Sequence, residues 1–421
     1  MRVLWFTNIP MPAMDDRFGS ATQGSGYWMI SLLNELSGIK NITIAVATAW
    51  PGVEDMHFED NGIRYFVMGQ SRGTSHLKCS SRDVKECKKI IIEFVPDIIH
   101  IHGTERFYGM LATDRDITEP IVISVQGILN QIVLHYFGRM NLLEILACSK
   151  PTQFLRGYGL LFDYFRTRNA TKRENEIIKS AKFFLGRTAW DRSHVLGLNP
   201  TAAYFQVNET IRPQFFIKQW CLSYVQRHSI IFTNARSPLR NTETLIEAVK
   251  ILDKRYGDVT LRLSGNVDLS YGYGKHIAGL ISRHGLWGKV SLLGYLDENQ
   301  MVEHMLRSHV FCNASWLENS PNSLCEAQLL GMPCIGGNVG GIPSLISDGV
   351  DGLLFPPSDP AVLAETINSV FCSDTLAESI GASAHRLAVR RHDVKHIINQ
   401  LVTAYTDTIR LHGEGRGIYH A

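Results

Sequence analysis

Short apolar runs rich in β-branched residues alternate with longer helical patterns through both halves of the chain, and this alternation constrains the fold most. The strand candidates of the first half are residues 3–9, 41–48, 63–69, 97–103 and 120–127. Those of the second half are residues 229–235, 259–265, 289–295, 310–315 and 333–337. Buried strands that alternate with helices form parallel sheets covered on both faces. The sequence therefore predicts an α/β protein with doubly wound parallel sheets.

The length of the chain favours two domains, because 421 residues exceed what one ordinary core organises. We place the boundary where NETIRPQFF interrupts the periodicity, which gives domains over residues 1–208 and 209–390. The last segment, 391–421, has a helical pattern, and we expect it to pack back on the first domain. A mostly helical insertion, at about residues 129–182, is predicted to belong to the first domain.

Composition and charge exclude several classes of protein. Hydrophobic residues make up 45% of the chain and charged residues 19%, which is typical of a folded globular protein. The formal net charge of +2 offers no electrostatic case for nucleic-acid binding. The eight cysteines form no CxxC pair and no zinc spacing, which favours reduced thiols. No apolar run approaches the ~20 residues that span a bilayer, and the first nine residues lack a cleavage site. We expect a cytoplasmic protein, with peripheral contact at the cytoplasmic membrane face left open.

Two acidic residues, Glu318 and Glu326, enclose a polar turn where a strand should end and a helix should begin. A helix N-terminus at this place would aim free backbone N–H groups at an anion. Glu318 would stay in the loop and Glu326 would lie on the first helical turn, so that both could accept hydrogen bonds from sugar hydroxyls. The spacing alone also fits a solvated loop acid and a partner for the helix dipole.

The segment from Ser315 to Phe355 resembles the signature of retaining glycosyltransferase family 4. The matching pieces are ENSPNSLCEA (318–327), GMPCI (331–335), VGGIP (339–343) and DGVDGLLFPPSDP (348–360). The resemblance implies the GT-B fold, in which two Rossmann-like domains face a central cleft. It also implies a glycosyltransferase of EC class 2.4, hexosyltransferase-like, that retains the anomeric configuration. The donor would be a nucleotide diphosphate sugar, with UDP favoured and GDP second.

The resemblance also assigns roles to residues of this segment. It implies that Glu318 contacts the donor sugar near the reacting carbon and that Glu326 binds the ribose hydroxyls. The backbone of Asn322, Ser323 and Leu324 would help to hold the diphosphate. Ser344 departs from the pattern, because the family usually has an acidic residue after Gly-Gly-Ile-Pro.

The loop NARSPLRN (234–241) carries two arginines ahead of a helix. Guanidinium groups can clamp two phosphates without a metal, although exposed arginines are also ordinary surface charge. The family has Gly-Arg, a short loop and Lys-Gly here, so Arg236 matches the arginine and Arg240 stands where the lysine is expected. Asn241 replaces the glycine.

Candidates in the first domain come from three loops. The resemblance places Gly24 and Gly26 of GSATQGSG near the donor phosphate and the acceptor, although the stretch also fits a flexible loop. We expect His100 and His102 to point to opposite faces of their strand, with His102 the better cleft candidate. Gln126 stands where the family commonly has a histidine that touches the donor sugar. In the second domain, Gly265 and Tyr295 end two strand candidates and complete the predicted binding residues.

The aromatic and basic character of residues 129–192 has three interpretations. From residue 150 to residue 192 there are ten lysines and arginines but only four acidic residues. The segment is a helical cap on the N-terminal domain, a wall that binds the acceptor, or a surface that rests on anionic lipid.

The predicted function is transfer of a sugar to a glycan or lipid-linked acceptor, in bacterial surface polysaccharide biosynthesis, by a protein that binds no nucleic acid. No DxD-type motif stands in a metal-binding context, so we expect no metal and no cofactor beside the nucleotide-sugar co-substrate. Two alternatives remain. A sugar-nucleotide epimerase or hydrolase of the same fold would need a carboxylate or histidine base in the N-terminal cleft. A non-catalytic nucleotide-sugar-binding protein would bind the donor without releasing nucleoside diphosphate.

Overall fold

The computed structural model describes residues 1–14, 26–71, 77 and 79–417. The chain divides into two compact units. The first unit contains residues 1–129, 167–210 and 392–421, and the second contains residues 130–166 and 211–391. Within the described ranges, all eight cysteines are free thiols, and no helix is long and apolar enough to cross a membrane.

An eight-stranded sheet forms the centre of the first unit. Its strands are β1 (Arg2–Phe6), β2 (Thr43–Pro51), β3 (Met56–Asp60), β4 (Ile63–Gln70), β5 (Ile98–His102), β6 (Ile121–Ser124), β7 (Phe183–Gly186) and β8 (Ala203–Gln206). Their order in the sheet is β3-β4-β2-β1-β5-β6-β7-β8. Every pair is parallel except β3 with β4. The strand order reverses beside β1, so the loops after β1 and β5 flank a topological switch point.

Helices cover both faces of this sheet. The helices with residues in the first unit are α1 (Tyr27–Ser37), α2 (Ser81–Phe94), part of α6 (Leu160–Ser180), α7 (Ala189–Leu198) and α14 (Val394–Gly417). Alternate residues of β1 enter two separate apolar clusters, with Val3 and Trp5 in one and Leu4 and Phe6 in the other. Helix α14 packs on the Trp5 face, where the Trp5 indole N–H donates to the Tyr405 hydroxyl at 3.0 Å.

The second unit is built on a six-stranded, fully parallel sheet. Its strands are β9 (Gln226–Phe232), β10 (Thr260–Ser264), β11 (Val290–Gly294), β12 (Ser308–Asn313), β13 (Cys334–Gly337) and β14 (Leu353–Phe355). Their order is β11-β10-β9-β12-β13-β14, which is the Rossmann order with its switch point between β9 and β12. The helices that follow these strands are α8 (Thr242–Tyr256), α9 (Gly272–His284), α10 (Glu298–Leu306), α11 (Asn322–Leu329), α12 (Pro360–Phe371) and α13 (Asp374–Arg391).

Only part of the predicted insertion, about residues 129–182, stays with the first domain: residues 167–182 cluster with the first unit, whereas residues 130–166 do not. Its helices are α3 (Leu129–Leu134), α4 (Leu142–Cys148), α5 (Pro151–Arg156) and the start of α6. Residues 130–166 cluster with the second unit, because α4 packs against α9 and buries Ile145 and Cys148 in the second unit's core. The segment 130–166, which we call the insertion from here on, is therefore not a cap on the N-terminal domain.

Candidate functional site

The loops after β9 and β12 lie side by side at the carboxyl edge of the second unit's sheet. The Trp316 backbone N–H donates to the Leu239 carbonyl at 2.9 Å and joins the two loops. The Asn241 side-chain amide donates to the carbonyls of Ala314 at 3.0 Å and Pro357 at 2.7 Å. Asn241 has a φ of 53°, a left-handed conformation that asparagine tolerates better than most residues. Asparagine can thus stand where the family has glycine, and its amide adds a tie between the loops.

The structure brings Arg236, Arg240 and Glu318 together at this edge. Arg240 forms an ion pair with the Glu318 carboxylate, which also accepts a hydrogen bond from the Ser315 hydroxyl at 2.9 Å. Burial and the nearby Arg236 guanidinium lower the pKa of Arg240 to about 10. Arg236 is exposed, and its Nε donates to Asn234 Oδ1 at 2.9 Å. Two guanidinium groups so placed favour an anionic ligand, because an added negative charge relieves their mutual repulsion.

Glycines of the VGGIP segment allow this position of Glu318. The Gly341 backbone N–H donates to the Glu318 carbonyl at 2.8 Å. Gly340 has a φ of +55°, and a Cβ atom built there would lie 2.0 Å from the same carbonyl oxygen. The close backbone approach explains why glycine is needed in this part of the motif.

Helix α11 begins at Asn322, directly after the loop that carries Glu318. Pro321 precedes it and supplies no side-chain cap. The Leu324 N–H already donates to the Pro321 carbonyl at 3.0 Å, whereas those of Asn322 and Ser323 have no acceptor among the described residues. Of the three predicted backbone donors, the structure therefore leaves Asn322 and Ser323 available for an anion.

Glu326 lies deeper than the sequence predicted. It is the fifth residue of α11, beyond the first turn, and its side chain is only 6% exposed. Both Nε and Nη2 of Arg212 lie 2.8 Å from Glu326 Oε1. Burial raises the pKa of Glu326, and the Arg212 charge opposes this shift. Sequence reasoning missed Arg212, because it stands in the segment interpreted only as the domain boundary.

Gly265 and Tyr295 lie at the neighbouring strand ends. The Gly265 N–H donates to the Gly294 carbonyl at 2.8 Å, and a Cβ atom on Gly265 would lie 3.3 Å from Asn234 Cα. With a φ of +105°, Gly265 lets this turn approach the arginine loop closely. The Tyr295 backbone N–H donates to Asn266 Oδ1 at 3.0 Å, and its side chain is about half exposed.

The insertion packs on the loops that hold Arg240 and Glu318. The rings of His135 and Trp316 are parallel within 4°, with centroids 6.3 Å apart. A Cβ atom on Gly138 would lie 2.6 Å from the Pro238 carbonyl oxygen. Arg139 Nη1 forms an ion pair with Glu247 Oε2 at 2.6 Å. The insertion thus packs against the loops of this site, and a wall beside the site was one of the three interpretations of this segment.

A second group of polar residues lies at the carboxyl edge of the first unit's sheet. Asn8 Nδ2 donates to Gln126 Oε1 at 3.1 Å and to Glu105 Oε1 at 2.6 Å. Burial is the main cause that raises the pKa of Glu105. Asn8 and Glu105 were not predicted, because each follows a different strand and neither belongs to a motif. Gly26 is the N-cap of α1 with a φ of 83°, and Gly24 lies outside the described residues.

The prediction that His100 and His102 point to opposite faces is wrong. Residues two apart on a strand share a face, and their ring centroids are 3.9 Å apart. His100 bonds Tyr405 Oη and Ser124 Oγ, both at 2.6 Å, and burial lowers its pKa to about 3. His102 is 1% exposed and lines a small cavity of about 20 Å³, room for one water. It is therefore not the open cleft residue that we predicted.

Two Rossmann-like α/β units with polar residues at their carboxyl edges define the fold class of the GT-B glycosyltransferases. Over 97% of its length the chain is similar to sucrose-phosphate synthase from Thermosynechococcus elongatus, with a TM-score of 0.74, 13% identity and 99% of that chain covered. It is also similar to Anabaena Alr3699/HepE in complex with UDP, with a TM-score of 0.68, 16% identity and coverage of 97% and 100% of the two chains. These similarities confirm the predicted fold class.

Residues 217–386 match the family Glycosyl transferases group 1. A D-inositol 3-phosphate glycosyltransferase of Streptomyces avermitilis is 27% identical over 168 residues, which are 38% of this chain and 35% of the relative. The N-acetyl-alpha-D-glucosaminyl L-malate synthase of Bacillus anthracis is 28% identical over 134 residues, 32% of this chain and 35% of the relative. The chain thus spans about a third of the length of these curated relatives. The predicted resemblance to this family is confirmed for residues 217–386 of the second unit.

Proposed function

We propose that the protein is a retaining glycosyltransferase that moves a sugar from a nucleotide diphosphate donor to a glycan or lipid-linked acceptor. The observation that carries this proposal is the convergence of Arg236, Arg240, Glu318, Glu326 and the start of α11 at one switch point. A UDP-sugar is the favoured donor, with GDP second, and similar solved structures include Anabaena HepE in complex with UDP-glucose. Bacterial surface polysaccharide biosynthesis is the proposed setting, and the similar protein WaaG is described as involved in lipopolysaccharide biosynthesis.

In the proposed reaction, the bond between the anomeric carbon and the diphosphate oxygen breaks while a bond to the acceptor oxygen forms on the same face. The acceptor's proton goes to the departing phosphate. Arg236, Arg240 and the backbone N–H groups of Asn322 and Ser323 would stabilise the charge that develops on the diphosphate. Groups that are held in place before the reaction need little reorganisation during it. This grip requires no metal and no other cofactor.

The two carboxylates would fix the two sugars of the donor. Glu318 stands beside Arg240 and would contact the transferred sugar, whereas Glu326 would accept hydrogen bonds from the ribose hydroxyls. Such charge-assisted hydrogen bonds are about twice as strong as neutral ones.

The test is nucleotide release from a panel of UDP- and GDP-sugars, with and without glycan and lipid-linked acceptors. We expect release that depends on the acceptor, and a loss of at least ~100-fold in Arg236→Ala or Glu326→Ala, as for loss of one preorganised charge contact. Arg255→Ala, which removes a surface arginine paired with Glu365, is the control and should retain activity. Wild-type rates in Arg236→Ala and Glu326→Ala would refute the proposed site.

Glu105 favours a second candidate function, a sugar-nucleotide hydrolase or epimerase. Such an enzyme needs a base in the first domain, and Glu105 is a carboxylate with a raised pKa held by Asn8. This enzyme would turn over the donor with no acceptor present, and Glu105→Gln would abolish that turnover. A protein that binds the donor but never releases nucleoside diphosphate would instead be a non-catalytic binder.

The insertion exposes an unusual set of apolar side chains. Helix α4 buries Ile145 and Cys148, whereas its three leucines are exposed. The exposed members, which we call the leucine surface, are Leu134, Leu142, Leu143, Leu146 and Leu155. Leu143 is 77% exposed and Leu155 is 86% exposed.

We further propose that the leucine surface rests on anionic lipid at the cytoplasmic face of the membrane. Leucines together with aromatic and basic residues are typical of interfacial segments. Tyr158 and Phe165 are exposed nearby in sequence, and Arg156 follows Leu155 at the end of α5. A lipid surface would cover the leucines, and a lipid-linked acceptor would lie in the same plane.

A further inference from the structure

Arg212 and Glu326 form an ion pair almost entirely removed from water. Their side chains are 17% and 6% exposed. The two guanidinium nitrogens Nε and Nη2 both lie 2.8 Å from the same carboxylate oxygen, Oε1. The other oxygen, Oε2, accepts no hydrogen bond from any described residue. A carboxylate bound in this way keeps one oxygen for a ligand.

The surroundings of Glu326 oppose its negative charge. Burial raises the pKa of this carboxyl, and the nearby Glu298 carboxylate acts in the same direction. Arg212 is the group that opposes both effects. A buried acid without its partner takes up a proton near neutral pH, because the charged form is poorly solvated. A protonated carboxyl has lost the charge that makes it a strong acceptor for hydroxyl groups.

The fold holds Arg212 in place. Its guanidinium carbon lies 4.8 Å from the centroid of the Phe215 ring, and Phe215 is fully buried in the core. Pro213 follows Arg212 and begins a short 3₁₀ turn, Pro213–Phe216, which packs against α10 and α11. Besides Glu326, the charged or titratable groups that act on Arg212 are Glu298 and Tyr295.

We infer that Arg212 is a positioning residue for the donor nucleotide, because it keeps Glu326 ionised and leaves Oε2 to accept from the ribose hydroxyls. This inference rests on the proposed function and names how one of its binding contacts is maintained. The ligand chemistry is a nucleoside diphosphate with free 2′- and 3′-hydroxyls. Arg212 acts through Glu326 and needs no contact of its own with the nucleotide.

The experiment measures dissociation constants of UDP, GDP and their 2′,3′-dideoxy analogues between pH 6 and pH 9. The wild type should prefer the hydroxyl-bearing nucleotides over the whole range. In Arg212→Gln this preference should be lost near pH 6 and return toward pH 9 as Glu326 ionises, by up to about tenfold per pH unit. A merely structural role of Arg212 would weaken binding to a similar extent at every pH.

Two further variants protect the experiment from misfolding. Arg212→Gln leaves a buried carboxylate unpaired, which destabilises the folded state. We therefore compare Glu326→Gln with the double variant Arg212→Gln/Glu326→Gln, in which no buried charge of the pair remains. The two should bind UDP equally and without the pH dependence, because Arg212 then has no carboxylate to act on. Arg255→Gln is the control for an arginine paired on the surface.

The outcomes separate this inference from the proposed function. A wild type that binds neither UDP nor GDP overturns both. A wild type that binds, together with an Arg212→Gln variant that keeps the hydroxyl preference at pH 6, overturns the inference alone. A double variant that binds more weakly than Glu326→Gln also overturns it, since Arg212 would then act independently of Glu326.

Discussion

The position of Glu318 depends on the backbone of the loop after β13 as well as on its own side chain. Its carbonyl accepts from the Gly341 N–H, and the adjacent Gly340 leaves no room for a Cβ atom. Side chain and backbone therefore act together: Arg240 orients the carboxylate, and the two glycines fix the main chain that carries it. A substitution at Gly340 changes this geometry without removing any charged group.

We predict that Gly340→Ala lowers the rate of sugar transfer by more than its effect on stability explains. An alanine in the left-handed conformation costs about 1–2 kcal/mol, and here it also displaces the Glu318 carbonyl. Gly349→Ala is the matched control, because Gly349 also has a positive φ but nothing lies within 4 Å of its Cβ position. The measurements are the turnover rate and the free energy of unfolding in urea. Equal activity losses in the two variants would contradict the prediction.

A buried carboxyl, Glu243, makes the stability of the second unit depend on pH. It is 3% exposed at the start of α8, and the Tyr273 hydroxyl donates to it. Burial raises the pKa of Glu243 to about 7. His276 Nε2 lies 3.6 Å from Oε1, but burial lowers the pKa of His276, so this imidazole is a poor counter-ion. Arg139 of the insertion and Glu247 of the same helix act on Glu243 in opposite directions.

The folded state therefore binds a proton at Glu243 that the unfolded state releases near its ordinary pKa of about 4.3. Stability from this group is fully present below that value and falls as the pH rises to about 7. We predict that Glu243→Gln becomes more stable than the wild type by about 3–4 kcal/mol at pH 8 and by only about 1 kcal/mol at pH 5. Urea unfolding at four pH values measures this difference. Glu378→Gln, on an exposed part of α13, is the control, and a difference that does not change with pH would contradict the prediction.

At the scale of elements, local hydrophobic patterns predicted the strands and helices well. Contacts between residues that are distant in sequence were predicted poorly. The β-branched run around residues 229–235 predicts a strand, and β9 occupies Gln226–Phe232. The polar turn before Asn322 predicts a helix start, and α11 begins there. Both signals are local, because they come from burial period and from helix-capping preferences. Strand order is not local, and the parallel pairing was predicted only as a class.

The errors arise where a partner lies far along the chain. Arg212 and Glu326 are 114 residues apart, and no pattern around Arg212 announces a carboxylate partner. The insertion was assigned to the first domain because it follows the strands of that domain in sequence. Its apolar face nevertheless packs against α9, more than a hundred residues later. Apart from Glu144, helix α4 is apolar, so its pattern does not indicate which of its apolar residues are buried.

The leucine surface is the element for which we predict membrane binding. Replacing Leu143 and Leu146 together by Asp should weaken binding to vesicles of phosphatidylglycerol and phosphatidylcholine by at least about tenfold, since each buried leucine contributes about 1.5–3 kcal/mol. Co-sedimentation at low and high salt measures this, and binding should fall as salt rises.

Ile92→Asp is the control for the leucine surface, because Ile92 is 76% exposed on α2 of the first unit. The control should bind vesicles as the wild type does. A different result would contradict the prediction: the wild type does not bind vesicles but forms a concentration-dependent dimer, and the two aspartates abolish this dimer. The leucine surface would then bind a second copy of the chain.

At the scale of the whole molecule, the two units repeat one arrangement. In each sheet the strand order reverses beside one central strand. This strand is β1 in the first unit and β9 in the second. Loops at such a reversal diverge and leave space at the carboxyl edge. Asn8, Glu105 and Gln126 occupy this edge in the first unit, and the arginine loop and α11 occupy it in the second. The residues proposed to bind the diphosphate and the ribose of the donor all lie in the second unit.

A nucleotide that binds the second unit should therefore stabilise that unit alone. We predict that UDP at 100 times its dissociation constant adds about 2.7 kcal/mol and slows exchange of the most protected amides of residues 211–391 about 100-fold. The amides of α4 should slow with them, because Ile145 and Cys148 are part of the same core. Hydrogen exchange with mass spectrometry measures each segment, and α2 of the first unit is the internal reference. If α2 slowed as much as α9 while α4 did not, both the site's location and the place of the insertion would be refuted.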